Sequence, residues 1–221
     1  MSGFATARQK MVDGQVRPND VTDIRIIDAM LAVPREAFVP PSQSALAYLD
    51  RDLDISEGAS ARRFLIKPQV LAKMLQAAEI KETDKVLVAG SAPGYAAAVV
   101  ARLARQVVAT EGDPGQVAKA KAVLAQLGLA NVTFKAAAAA DGDPANAPYD
   151  VIVLDGATEI TPERLYGQLG NGCRLVGVFA VTQPPRAMIV THSRADFGNR
   201  VLFDASVPVL PGLERLPAFV F

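Results

Sequence analysis

Apolar residues first recur at helical spacing at Ile24, Ile27, Met30 and Leu31, predicting a helix that Pro34 stops. The Pro40-Pro41 pair keeps the next stretch irregular. Residues 42–66 mix polar and apolar positions, predicting a segment that wraps over one edge of the body of the fold. From Pro68 the pattern changes. A proline in the first turn suits a helix start, and Val70, Leu71, Met74, Leu75 and Ala78 form one apolar face. Lys85 to Ala89 reads as a short buried strand, followed by a helix from about Gly94 to Arg105 and a strand from Val107 to Thr110. Asp113-Pro114 opens a helix that Gly128 stops. Further strands are predicted over Asn131 to Ala137, Val151 to Leu154 and Arg174 to Ala180, with a short helix from Pro162 to Leu169. Met188 to Thr191 and Val201 to Val209 read as a closing β-hairpin.

Strands alternating with helices imply parallel βαβ units and an α/β fold with helices on both faces of one sheet. The expected organisation is one domain, with residues 1–66 as an extension packed on a 67–221 body. Ligands of such sheets bind outside the carboxyl ends of the strands, where strand order reverses. Candidate positions therefore follow Ala89, Thr110 and Leu154 and lie near Ala138.

Charge and cysteine content narrow the function classes. Lys plus Arg and Asp plus Glu both number 23, so the net charge is zero. Neither nucleic acid nor a membrane surface is an expected partner, although Arg62, Arg63 and Lys67 form a local basic cluster. The single cysteine, Cys173, allows no intrachain disulfide, fits a reducing compartment and reads as a small packed hydrophobe. Met1 to Lys10 lacks the apolar core of a signal peptide, and no uncharged apolar run approaches the roughly 18 residues of a bilayer span. The expectation is a cytoplasmic protein, monomeric or weakly homo-oligomeric. His192, the only histidine, falls in the hairpin with no metal-ligating or catalytic partners in sight and reads as a packing residue. No metal is expected.

The segment Val86-Leu87-Val88-Ala89-Gly90-Ser91-Ala92-Pro93-Gly94-Tyr95 joins a strand to a helix through two glycines. Such a loop brings backbone N–H groups close to a ligand, although a plain β–α turn has the same outline. Glu111 ends the next strand, where an acid accepts hydrogen bonds from ribose hydroxyls; the alternative is a solvated glutamate near a helix start. Loop, spacing and acid together point to a nucleoside-binding site. Asp155 ends the fourth strand and either contacts ligand or caps the following turn, while Asp113 is better read as a helix cap.

Around this loop the chain resembles the protein-L-isoaspartate O-methyltransferases. Val33-Pro34-Arg35-Glu36-Ala37-Phe38-Val39-Pro40 is similar to that family's V-P-R-E-x-F-V-P signature. Ala47-Tyr48-Leu49-Asp50, Gly94-Tyr95 and Ala147-Pro148-Tyr149-Asp150 match its A-Y-x-D, G-Y and A-P-Y-D. Pro162, Leu165, Gln168, Leu169 and Gly172 fall on its P-x-x-L-x-x-Q-L-x-x-G pattern. The resemblance implies the Rossmann-like methyltransferase fold with S-adenosylmethionine as cofactor. It also implies a protein or peptide substrate whose isoaspartyl carboxylate is methylated in repair. Carried over position by position, it puts Gly90, Ser91, Gly94 and Tyr95 at the cofactor and Ile66 and Lys67 in the active-site loop; the strand ends add Glu111 and Asp155 to the candidate cofactor residues.

The chain departs from the family at those same motifs. In the family's V-L-E-I-G-T-G-S-G-Y the acid is here Val88 and the second glycine Ala92. The later G-D-G falls on Ala137-Ala138-Ala139, with Asp141-Gly142 three residues on as a substitute through a shifted loop. The active-site I-S-x-P-H reads Leu65-Ile66-Lys67-Pro68-Gln69, without hydroxyl or histidine. A hydrogen bond to a charged group contributes roughly 1.5–3 kcal/mol, so losing two would cost about 3–6 kcal/mol, or roughly 10² to 10⁴ in affinity. Two alternatives therefore stand beside isoaspartyl methylation: a binding or regulatory module without cofactor, and a methyltransferase with another acceptor. Lys67 would attract an acceptor carboxylate, repel the cationic cofactor, or simply face water.

Overall fold

Helix α1 (Gly3–Met11) and α2 (Ile24–Ala32) begin a computed structural model that describes residues 3–57, 61–194 and 196–216. The Asp23 side chain starts α2 by accepting a 2.9 Å hydrogen bond from the Arg25 amide. Ile26, Ile27 and Met30 carry its buried face, while Ile24 is exposed. After 3₁₀ turns at Arg35–Phe38 and Pro41–Leu46, two short strands pair antiparallel, β1 (Leu53–Asp54) and β2 (Phe64–Leu65).

The body follows as α3 (Pro68–Ala78), β3 (Lys85–Ala89), α4 (Tyr95–Val100), β4 (Gln106–Glu111), α5 (Pro114–Gln126) and β5 (Val132–Ala136). It continues with β6 (Tyr149–Thr158), α6 (Glu163–Tyr166), β7 (Leu169–Phe179), β8 (Arg186–Ser193) and β9 (Asp196–Asp204). Seven strands form one sheet in the order β5-β4-β3-β6-β7-β8-β9, parallel from β5 to β7 and antiparallel over β8 and β9. Strand order reverses between β3 and β6, so their carboxyl ends open the crevice where α/β sheets bind ligands. This is the α/β arrangement that the alternating pattern predicts, in the Rossmann-like form that the resemblance implies. Both sheet faces are covered: Leu71, Met74 and Val99 pack in one core, Leu87, Ile152 and Leu165 in the other. Each such fully buried side chain contributes about 1.5–3 kcal/mol.

Several boundaries differ from expectation. Helix α4 stops at Val100 rather than near Arg105: Arg102 and Leu103 amides turn to the Val99 and Val100 carbonyls, and the Asn131 side chain takes up the Ala101 and Ala104 carbonyls at 2.8 and 3.1 Å. The helix expected over Pro162 to Leu169 is only four residues long, because Leu169 already pairs with Tyr149 in the sheet. Strand β9 starts earlier than expected and ends at Asp204. Residues 205–213 leave the hairpin and return to the end of β6, where the Ala157 amide donates to the Pro208 carbonyl and the Leu210 amide to the Ala157 carbonyl, both at 2.9 Å. Residues 53–57 and 61–65 lie over the carboxyl end of β4 and the start of α5 rather than over a sheet edge, since Gln116 Nε2 donates to the Ile55 carbonyl at 3.2 Å and Arg63 Nε to Glu111 at 2.7 Å. Residues 58–60, within the same expected wrap, lie outside the described residues. No helix among the described residues is long and apolar enough to cross a membrane.

Candidate functional site

The β3–α4 loop holds Gly90 at φ +72° and Gly94 at φ +105°, conformations that disfavour any residue with a β-carbon. At Gly94 the close approach of α5 adds a second constraint, since a β-carbon there would lie 3.1 Å from that of Ala120. The Ser91 amide donates to the Thr110 carbonyl at 2.9 Å, tying the loop to β4. Gly90 borders the crevice. Ser91 and Tyr95 are buried, and Tyr95 packs edge-on against Phe38 with the Arg35 guanidinium 4.8 Å from its ring centre. Neither the Ser91 nor the Tyr95 side chain lines the cavities at the crevice.

Glu111 is 1% exposed, so the solvated alternative does not describe it. Its Oε1 accepts from Arg63 Nε at 2.7 Å and from the Asp113 amide at 2.8 Å. Asp113 in turn caps α5, accepting from the Gln116 amide at 2.9 Å. The acid stands where the sequence puts it, already engaged by a cation from the β1–β2 segment.

Asp155 lies in an irregularity of the β6–β7 ladder: Val153 pairs with Val176, but the next register pair is Ala157 with Val178. Such bulges redirect side chains at sheet ends. Asp155 is 3% exposed, and neither carboxylate oxygen has a hydrogen-bond partner among the described residues, so it caps no turn. Burial pushes its pKa up to about 8; Arg35 opposes the shift and Glu111 adds to it. Arg35 is itself wholly buried, donating from Nε to the Ala47 carbonyl and from Nη2 to the Ile66 carbonyl, both at 2.7 Å. Burial lowers its pKa, with Tyr95 and Asp155 acting the other way.

Two cavities open here and share Arg63, Gly90 and Pro211 in their walls. One, about 220 Å³, is bounded by Glu111, Gly112, Ala138 and Ala139. The other, only about 10 Å³, is bounded by Asp155, Ile66, Phe64 and Leu210. They are the two ends of one cleft, pinched by Arg63 and by the Leu210 side chain. A β-carbon at Gly90 would lie 2.5 Å from a Leu210 methyl, and one at Gly156 2.7 Å from Leu210 Cγ. Cavities that hold small molecules run to roughly 300–1,000 Å³, so neither end of the cleft has room for a whole nucleoside cofactor.

The remaining candidates lie elsewhere. Asp141 pairs with Arg164 at the surface, so it does not replace the acid missing at Ala138. Lys67 opens α3 with its Nζ 4.0 Å from Asp52 Oδ2, and Gln69 Nε2 donates to Asp50 at 2.5 Å. The basic cluster is therefore locally neutralised: Arg63 by Glu111, Lys67 by Asp52 and Arg62 by Asp54 at 4.0 Å. His192 packs in the hairpin, stacked on Phe197 with Nδ1 3.1 Å from the Leu169 carbonyl. Cys173 is half-buried beside Asp150. Sequence reasoning missed Arg63 and Leu210 as occupants of the cleft. Arg35 was visible in its motif, but its hold on the Ile66 carbonyl was not.

The profile of the family described as "Protein-L-isoaspartate(D-aspartate) O-methyltransferase (PCMT)" matches residues 6–200. A protein-L-isoaspartate O-methyltransferase of Koribacter versatilis is 36% identical over 221 residues, covering 99% of this chain and 97% of its own. One from Methanoculleus marisnigri is 38% identical over 169 residues, 76% of this chain and 75% of its own. Among solved structures, a protein-L-isoaspartate O-methyltransferase superposes with TM-score 0.81 at 24% identity, covering 94% of this chain and 67% of the other. A Plasmodium falciparum protein described as a putative member, in complex with S-adenosyl-L-homocysteine, gives TM-score 0.76 at 15% identity, with coverage of 95% and 99%. At these identities the two structures bear on the fold alone.

Proposed function

Since the chain belongs to the protein-L-isoaspartate O-methyltransferase family, we propose that it transfers a methyl group from S-adenosylmethionine to the carboxylate of isoaspartyl residues in damaged proteins. The observation that carries this reading is that Gly90 and Glu111, at the carboxyl ends of the neighbouring strands β3 and β4 beside the switch point, line one cavity, as a glycine loop and an acid for a nucleoside would. The cofactor supplies an electrophilic methyl on a cationic sulfur. Gly90 allows close backbone approach, Glu111 is suited to the ribose hydroxyls, and Asp155, without a hydrogen-bond partner among the described residues, marks the polar end of the cleft. These groups fit a nucleoside carrying a positive charge, provided that Arg63 releases Glu111 and Leu210 withdraws. An ionised carboxylate needs no base to act as acceptor, so orientation is the main task left to the protein. Incubation with an isoaspartyl peptide and methyl-labelled cofactor is expected to give a base-labile methyl ester; label that never exceeds the level with the matching aspartyl peptide refutes the reading.

A second reading is favoured by one observation: Arg63 and Leu210 fill the cleft with a buried ion pair and an apolar plug. On that reading the fold serves as a protein-binding module without cofactor. Binding of the demethylated cofactor separates the two.

A further inference from the structure

We infer that Asp155, whose two buried oxygens face the cleft beside Ile66 without a hydrogen-bond partner among the described residues, is the side chain that positions the acceptor carboxylate in this chain. The inference rests on the methyl transfer proposed above and names the group that orients its substrate. Ile66 brings no hydroxyl to the active-site loop, so a polar partner for the acceptor has to come from another element. Asp155 lines the same end of the cleft as Ile66 and Gly90, from the bulged part of β6. Both of its oxygens are buried and unpartnered among the described residues, which is costly for a structural carboxyl and useful for one that receives a ligand.

The charged groups around it set its state. Arg35 faces it from the turn after α2, Glu111 from the end of β4, and Arg62 and Arg63 from the β1–β2 segment; Leu210 and Pro208 close the remaining side. Arg35 is held by the Ala47 and Ile66 carbonyls, and Arg63 by Glu111, so no hydrogen-bonded cation neutralises Asp155. Burial therefore prevails and the proton stays on at neutral pH, consistent with a pKa near 8. A neutral acid donates one hydrogen bond to an incoming carboxylate, whereas an ionised one repels it. The acceptor end is closed by Pro208–Pro211, so the same withdrawal of Leu210 that admits cofactor exposes Asp155.

The test is the affinity for an N-acetylated isoaspartyl peptide in the presence of S-adenosylhomocysteine, titrated from pH 6 to 9 on the intact protein and on Asp155→Asn and Asp155→Ala. The peptide carboxylate is ionised throughout, and a donor that titrates near pH 8 is about tenfold depleted by pH 9. The wild type should lose about tenfold in affinity between pH 7 and 9. Asp155→Asn, whose amide donates at every pH, should stay flat, and Asp155→Ala should bind weakly throughout. A flat wild-type profile, or an Asn variant that follows the wild type, overturns the inference even if methyl transfer is intact. The stated pH dependence without any methyl ester would uphold Asp155 as the recognition group and instead refute the proposed transfer.

Discussion

Arg63 Nε and Glu111 Oε1, 48 residues apart in the chain, lie 2.7 Å apart in a buried ion pair at the carboxyl end of β4. On the proposed reading the pair occupies the acid that would meet the cofactor ribose. Replacing Arg63 by Gln leaves Glu111 buried without its cation, which should cost about 3–5 kcal/mol of stability. It also removes a competitor for the acid, so affinity for S-adenosylhomocysteine should rise at least tenfold, about 1.4 kcal/mol. Thermal melting and calorimetric titration of the variant read both effects; a destabilised protein with unchanged affinity would show that Arg63 does not gate the site.

Leu210 is the second obstacle. Leu210→Ala should destabilise by about 2–5 kcal/mol, as core truncations do, while opening the space beside Gly90 and Gly156. Tighter binding of S-adenosylhomocysteine is expected here too. Protection of the Ala157 and Leu210 amides against hydrogen exchange should fall in the same variant, because their bonds hold the 205–213 segment to β6. Unchanged protection with unchanged affinity would mean that the segment is a fixed part of the core.

Asp155 makes stability depend on pH with a defined sign. Its native pKa, near 8, lies above the unfolded value of about 3.9, so the folded state binds the proton more tightly. Stability from this group is fully present below about pH 4, falls as pH rises toward 8, and levels off above that. Asp155→Asn removes the effect. The melting temperature of the variant relative to wild type should therefore climb across this window; a constant difference from pH 4 to 9 contradicts the assignment.

Arg35 joins the V-P-R-E segment to the loop between β2 and α3 through the Ala47 and Ile66 carbonyls. At about 1.5–3 kcal/mol for each charged hydrogen bond, Arg35→Met should cost about 3–6 kcal/mol. A melting temperature within a degree of wild type would remove Arg35 from the account.

The fold was legible from periodicity because each strand and helix carries its own apolar pattern and its own stop. Pro68, Asp113-Pro114 and Gly128 mark true element ends. Element lengths were less legible where tertiary contacts decide them, as Asn131 does for α4 and the β7 ladder does for α6. Glu111 was found because a strand-ending acid after a glycine loop is a local pattern. Arg63 and Leu210 escaped because their partners lie 48 and 120 residues away, separations that no local pattern encodes. For Asp155 the sequence placed the strand end three residues too early, since β6 runs on to Thr158, and the bulge that redirects it and its lack of a hydrogen-bond partner among the described residues belong to the packed structure.

The most direct test of the account is calorimetric titration of the purified protein with S-adenosylhomocysteine. Opening of the cleft at Arg63 and Leu210 predicts micromolar binding to the wild type. No heat up to millimolar ligand, in the wild type and in both gate variants, would contradict it and leave the binding-module reading in its place.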